Sequence, residues 1–415
     1  MNRNYLYYDM GKGAELIMIG ISRLLGGKEK YGDKLRYSKD SKQQYHGTRK
    51  NKGPVVVWNM TRTCNLSCIH CYSNSEKKKY SGELSTAEAK KFIDDLAEFN
   101  VPVLLFSGGE PLIREDILQI LEYTVGKGIR ATISTNGTLI TKDIASKLKD
   151  IGVGYVGISL DGMELTNDRF RGKKGAFKLA LEGIRNCLEI GQKVGLRFTI
   201  NRHNYQEIND IFDMIEKEKI SRVCFYHLVY SGRGSDIVKD DISLEETREV
   251  LDLIIDRTID FQERGLDKEI LTVANHADGI YLYLKMKERD PAKAEEILEL
   301  LDRNGGNRTG IAIANVDWEG NVHPDQFTQN HSFGNVKKRK FKDIWTDSSE
   351  NDILTALKDR KSLLKGRCSN CKWLNICNGN FRARAEAIHG DFWHEDPACY
   401  LRDNEIGLAD SLKEA

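Results

Sequence analysis

The sequence predicts an α/β protein, a partial TIM-like (β/α)6 barrel followed by a small cysteine-rich domain. Three observations carry this expectation. Between residues 54 and 227, short apolar runs alternate with longer amphipathic stretches. Three cysteines follow the first apolar run in the spacing CxxxCxxC, and four more stand near the end of the chain.

The apolar runs at 55–60, 103–106, 131–134, 155–160, 195–200 and 222–227 read as strands, and the stretches at 86–99, 115–126, 142–150, 176–190 and 206–218 as helices. Ser85 and Glu88 give the first helix a capping box, in which hydroxyl and carboxylate satisfy orphan amides. Strand–helix alternation at this spacing implies a parallel sheet with right-handed crossovers. Six units leave the barrel incomplete, and functional residues are expected at the carboxyl ends of its strands. Residues 1–53 are rich in Lys, Tyr and Gly without periodicity, and are expected to wrap the surface as an N-terminal extension. The barrel is assigned to 54–235, a helical bridging segment to 236–304, and the cysteine-rich domain to 305–415. That last domain should open with a hairpin, 310–317 and 321–323 around Glu319-Gly320, with a helix near 341–345.

The 63 basic and 62 acidic residues nearly cancel, so no net field points to nucleic acid or an anionic membrane. The apolar run 16–21 is too short to span a bilayer and lacks a signal-peptide pattern, so a cytoplasmic location is expected. In a reducing compartment, clustered cysteines read as metal ligands rather than disulfides. Cys187 and Cys224 stand alone and read as core packing.

The run Thr63-Cys64-Asn65-Leu66-Ser67-Cys68-Ile69-His70-Cys71-Tyr72 carries the strongest chemical signal. Four thiolates ordinarily close an iron–sulfur site, so three would hold three irons of a 4Fe–4S cluster and leave the fourth open to a chelating cofactor. Zinc loops favour paired cysteines and fit three poorly. Further candidates sit at strand ends: Ser107-Gly108-Gly109-Glu110-Pro111, Ser134-Thr135-Asn136-Gly137, and Ser159-Leu160-Asp161-Gly162. Each alone is also a plain turn. The quartet Cys368, Cys371, Cys377 and Cys399 can close a site fully, with iron or with structural zinc.

Together these motifs resemble the radical S-adenosylmethionine (SAM) enzymes. The resemblance implies that Cys64, Cys68 and Cys71 hold the SAM-binding cluster and that Gly108, Gly109 and Glu110 form the loop pairing with the SAM amino group. It sets Tyr72 beside adenine, Asn136 at the third strand end, Ser159 and Asp161 near the ribose and carboxylate, and Arg171 as that carboxylate's partner. The C-terminal quartet resembles one auxiliary cluster of the SPASM extension. Asp325 and Phe381 stand where the full pattern has further cysteines, so two 4Fe–4S clusters in all are expected. Asp325 reads as a surface turn residue, with an oxygen-ligand role as the alternative.

Segments 378–386, 390–393, 396–401, 321–326 and 333–336, with Leu35-Arg36-Tyr37, look like radical SAM enzymes of heme and heme d1 biosynthesis. Among these the chain is most similar to those that remove two acetate side chains from didecarboxysiroheme. That implies an iron tetrapyrrole substrate and a low-potential donor of ferredoxin or flavodoxin type. The sister activity removes propionates, and a peptide-modifying SPASM enzyme is the further alternative. By placement, Arg197, Arg233, Arg382 and Arg384 are candidates for substrate carboxylates. His227, ending the sixth strand, and His276, in a polar patch of an apolar stretch, are candidates for proton donation or iron ligation; a core histidine is the plain alternative for each.

Overall fold

The computed structural model describes residues 18–30, 32–37, 53–347 and 352–408. Its strands are β1 (Met18–Ile19), β2 (Val55–Thr61), β3 (Val103–Gly108), β4 (Arg130–Thr135), β5 (Tyr155–Ser159), β6 (Val194–Ile200), β7 (Arg222–His227), β8 (Glu269–Val273), β9 (Ile313–Val316) and β10 (Val322–His323). They form one sheet in the order β1-β8-β7-β6-β5-β4-β3-β2-β9-β10. From β8 to β9 every neighbouring pair is parallel, and β1 and β10 close the two edges antiparallel. All six strands expected from sequence are present, in sequential order.

Parallel strands are buried on both faces, which is why they read as unbroken apolar runs. Every residue of β2 is buried, and Trp58 packs its ring against Phe92 at 5.6 Å and Phe106 at 5.8 Å. Phe92 lies on the helix Thr86–Glu98, which has the expected capping box between Ser85 and Glu88. Helices Ile117–Gly126, Lys142–Ile151, Ala176–Glu189 and Ile208–Lys217 follow their strands in turn. Cys187 and Cys224 are fully buried, consistent with core packing. No helix among the described residues is long and apolar enough to cross a membrane.

Three features depart from the sequence reading. The stretch 240–304 holds helices Leu244–Glu263, Ala277–Arg289 and Pro291–Asn304, but it is not helical throughout, because β8 extends the barrel by pairing with β7. The run Ile270-Leu271-Thr272-Val273 is too short to announce a strand between two amphipathic helices; the open edge of β7 recruits it. The described part of the N-terminal extension does not wrap the surface. Met18 and Ile19 pair with β8, and Arg36 bridges Asp33 at 2.8 Å and Glu269 of β8 at 2.9 Å. The Gly20 amide donates to the Tyr37 hydroxyl at 2.8 Å. The Leu35-Arg36-Tyr37 motif thus ties the extension to the barrel edge. Finally, a short helix, Glu164–Arg171, follows β5 and presents Arg171.

The expected hairpin forms between β9 and β10. Its β9 lies parallel to β2, with Val55 opposite Ile313, so the C-terminal region shares the barrel's sheet.

Breaking a buried ion pair leaves an uncompensated charge, at a cost of about 3–5 kcal/mol. Arg36→Met, which takes the partner from buried Asp33 and leaves Glu269 with Arg222 at 3.5 Å, is expected to lower unfolding free energy by about 3 kcal/mol in anaerobic urea titrations.

Candidate functional site

The carboxyl ends of the barrel strands open onto one deep cavity, and the cysteine loop forms part of its wall. The loop is pinned from two sides. Backbone amides of Ser67 and Ile69 donate to the carbonyls of Arg171 and Phe170, at 3.2 and 3.1 Å. On the other side the Gly109 and Glu110 amides donate to the carbonyls of Thr61 and Thr63, at 2.7 and 2.9 Å. A Cβ on Gly108 or Gly109 would collide with those same carbonyls, and Gly108 has φ +129°. The close approach that these paired glycines permit is therefore to the cysteine loop itself, although both also line the cavity.

Cys64, Cys68 and Cys71 reach the cavity wall. Burial pushes the Cys64 thiol up to about 12, and the nearby Cys68 and Cys71 add to this. Burial also pushes up Cys68, which Arg171 draws back through a contact of 3.5 Å from Nη1 to Sγ. Buried thiols of this kind become thiolates when a metal centre replaces the proton. Among the described residues no three His, Cys, Asp or Glu side chains converge as a single metal ion requires. A tetrahedral zinc draws all its ligands to about 2.0–2.3 Å of one point, whereas a cluster spreads its thiolates over separate irons. The donor set fits an iron–sulfur cluster with three protein ligands.

The remaining sequence candidates divide. Tyr72, Asn136, Ser159, Arg171 and His227 line the cavity. The Tyr72 hydroxyl donates to Asn59 Oδ1 at 3.0 Å and meets Ser107 Oγ at 2.9 Å, with its ring edge-on to Phe327 at 5.2 Å. The Asn136 amide nitrogen donates to Asn65 Oδ1 at 2.7 Å, within the cysteine loop. Glu110 lies behind the wall. Its carboxylate accepts from Thr135 Oγ1 at 2.7 Å, from the Asn136 amide at 2.8 Å and from the Leu112 amide at 3.1 Å.

Asp161 is also fully buried behind the wall. It pairs with Arg171, lies 3.2 Å from His70 Nε2, and accepts the Thr199 amide at 2.7 Å. Burial alone would raise its pKa, but Arg171 and His70 hold it at about 2. His227 Nε2 is 2.9 Å from Asp278 Oδ2, whose other oxygen accepts from the Tyr400 hydroxyl at 2.8 Å. His276 is not on the cavity wall. Its ring is buried with neither nitrogen partnered, and burial pushes its pKa down to about 4, which keeps it neutral.

The arginine candidates separate as well. Arg197 and Arg233 line the cavity, whereas Arg382 and Arg384 are structural ties. Arg384 holds Asp396 through two contacts, 2.9 and 2.7 Å, and donates to the carbonyls of Leu228 and Ala274. Arg382 donates to the carbonyls of Gly379, Phe392 and His394. Both are buried, and neither lines the cavity.

The second cysteine set gathers from three short elements. Cys368 and Cys371 come from and just after the turn Gly366–Asn370, Cys377 ends Leu374–Cys377, and Cys399 lies in the loop beyond. Burial raises the Cys377 thiol, and its neighbours Cys368, Cys399 and Cys371 raise it further, so the four thiols share one locality. Asp325 is buried rather than on a surface turn. It accepts from Thr309 Oγ1 and from the Phe327 and Thr328 amides, which fixes its loop. Phe381 is fully buried against Phe327 at 5.5 Å.

His70 is the residue that motif reading passed over. It sits inside the cysteine run, stacks on Phe170 at 4.6 Å and lines the cavity. Tyr226, beside His227 on β7, and Phe327, from the loop after β10, also line it and were not singled out by any motif.

A strand-end cavity walled by three closely spaced cysteines is the arrangement of a radical SAM enzyme, and the chain belongs to the radical SAM superfamily. Residues 58–215 match that superfamily, and residues 309–372 match the SPASM iron–sulfur cluster-binding domain. The chain is 55% identical to the Fe-coproporphyrin III synthase of Methanosarcina barkeri over 396 residues, 94% of this chain and 99% of that protein. It is 40% identical to the pre-heme d1 synthase of Dinoroseobacter shibae, over 89% of this chain and 93% of that one. In fold it matches Streptococcus suis SuiB bound to S-adenosylmethionine, with TM-score 0.65 and 18% identity, covering 85% of this chain and 78% of that one.

Asp161 orients Arg171, and hydrogen bonds to charged groups contribute roughly 1.5–3 kcal/mol. Asp161→Asn is expected to weaken SAM binding about tenfold in anaerobic equilibrium dialysis, with iron content unchanged. Because the Asp161 carboxyl is depressed from 3.8 to about 2, the pair's contribution is complete above the upper value and lost only as pH falls through the lower one. SAM affinity should accordingly show no titration from this pair between about pH 5 and 9.

Proposed function

We propose that this enzyme removes two acetate side chains from didecarboxysiroheme, leaving methyl groups and giving iron-coproporphyrin III. The reading rests on 55% identity to Fe-coproporphyrin III synthase over nearly the full length of both chains. In this reading Cys64, Cys68 and Cys71 hold a 4Fe–4S cluster with one open iron, and Cys368, Cys371, Cys377 and Cys399 hold a closed auxiliary cluster. With Asp325 and Phe381 committed to internal packing, two clusters account for the thiols.

When bound and reduced, the open cluster and SAM supply a 5′-deoxyadenosyl radical able to abstract hydrogen from unactivated carbon. The chain's part is to bind and orient. Arg171, fixed by Asp161, takes the SAM carboxylate. Glu110, behind the wall, acts on the SAM ammonium through its charge and through the wall residues it holds, Thr135 and Asn136. Tyr72 borders the adenine, and Asn136 and Ser159 complete the cofactor's surroundings. Of the two histidine candidates, His227, held by Asp278, is the one on the wall, placed to pass a proton or meet the tetrapyrrole iron. A low-potential ferredoxin or flavodoxin provides electrons. The 40% identity to pre-heme d1 synthase supports the second reading, in which propionates are removed instead.

Anaerobic incubation of reconstituted enzyme with didecarboxysiroheme, SAM and dithionite tests this. Iron-coproporphyrin III should form through a mono-deacetylated intermediate, with about two 5′-deoxyadenosines per product. Loss of propionate would move the enzyme to the second reading. An unchanged tetrapyrrole would overturn both.

The cluster assignment is checked separately by iron analysis. Wild type should hold about eight irons per chain, and joint replacement of Cys64, Cys68 and Cys71 by Ala should leave about half, with no SAM cleavage.

A further inference from the structure

Among the described residues, three guanidinium groups line the cavity, and their commitments differ. Arg171 is paired with Asp161. Arg233 donates from Nε to the Cys68 carbonyl at 2.8 Å and from Nη1 to the Ser75 carbonyl at 3.0 Å, which braces the cysteine loop. Arg197, among the described residues, forms neither ion pair nor hydrogen bond, and its Nε is buried without a partner. Its guanidinium carbon lies 5.9 Å from the centre of the Tyr226 ring.

The fold makes room for this side chain. Arg197 lies on β6 opposite Ser159 of β5, and its Nε passes over Gly157, where a Cβ would collide with it. A larger residue at 157 would push the guanidinium out of its track across the sheet. Guanidinium does not shed its charge at physiological pH, and Arg197, half-buried on the cavity wall, keeps that charge partly out of water with no anion beside it, which is costly. A space cleared for an unpaired cation beside the cofactor's wall is a site built for an anion.

We propose that Arg197 anchors one carboxylate of the substrate. Resting on the tetrapyrrole reading, this assigns it to a propionate or acetate arm of the macrocycle. The apolar wall formed by Val57, Leu105, Val229, Val273 and Phe327 faces the ring system. A charge-assisted contact at this point fixes the rotation of a near-symmetric macrocycle, and with it which side chain meets the radical.

The test uses anaerobic visible-absorption titrations of the reconstituted full-length enzyme with iron-coproporphyrin III and with its tetramethyl ester. Wild type should prefer the free acid, and Arg197→Gln should narrow that preference by about tenfold, with Arg197→Lys recovering part of it. SAM affinity, measured by dialysis, should stay within about twofold of wild type in Arg197→Gln. An unaltered acid-over-ester preference in Arg197→Gln would overturn the anchor while leaving the proposed reaction intact. A loss that falls on SAM affinity instead would reassign Arg197 to the cofactor and overturn it equally. Failure of wild type to take up any tetrapyrrole would overturn the anchor together with the reaction.

Discussion

The Asp161–Arg171 pair is the interaction on which the cofactor wall depends. Asp161 has no exposure, and it holds Arg171 while accepting the Thr199 amide from β6. Arg171 in turn reaches Cys68 Sγ, and its own carbonyl receives the Ser67 amide. One carboxylate thus couples a barrel strand, a short helix and the cysteine loop. A lone carboxylate at this depth would be protonated; with Arg171 and His70 beside it, it remains an anion. The loop thereby faces a fixed cation, which suits a cluster carrying net negative charge.

A second set of contacts joins the barrel to the C-terminal region. Arg384 gathers the carbonyls that follow β7 and β8 and binds Asp396, three residues before Cys399. Asp278 links His227 on the cavity wall to Tyr400, one residue after that cysteine. The C-terminal cysteines and the cavity are therefore connected through two buried polar groups, and every nitrogen of Arg384 and both oxygens of Asp278 have a partner. Such networks hold one geometry when every member is satisfied.

Much of this was legible in the sequence. The barrel strands are buried on both faces and so appear as unbroken apolar runs, while the capping box at Ser85 and Glu88 marks a helix start through local chemistry alone. The cysteine spacings needed no structure. What escaped was set by distant partners. The run Ile270–Val273 became a strand because β7 has an open edge, and Met18-Ile19 because β8 then offers another. Gly108 and Gly109 read as a ligand-facing turn and do line the cavity, but the carbonyls they accommodate belong to Thr61 and Thr63. Arg382 and Arg384 looked alike to Arg197 and Arg233 in sequence, and only their surroundings separate buried ties from cavity-facing cations. Asp161 and Glu110 were found as motif members, yet their burial behind the wall is a property of packing.

The sheet's edges impose an order on assembly. Met18 pairs with Val273, and Val55 with Ile313. Both strands nearest the amino terminus must therefore wait for segments made far later, since contacts between distant parts of a chain close slowly. A nascent chain would carry β2 with one bare edge until β9 emerges, and such edges invite pairing with other chains. The Val-Val-Val-Trp run of β2 is the segment most in need of protection during synthesis, and the small hairpin that covers it acts as the final latch on the barrel.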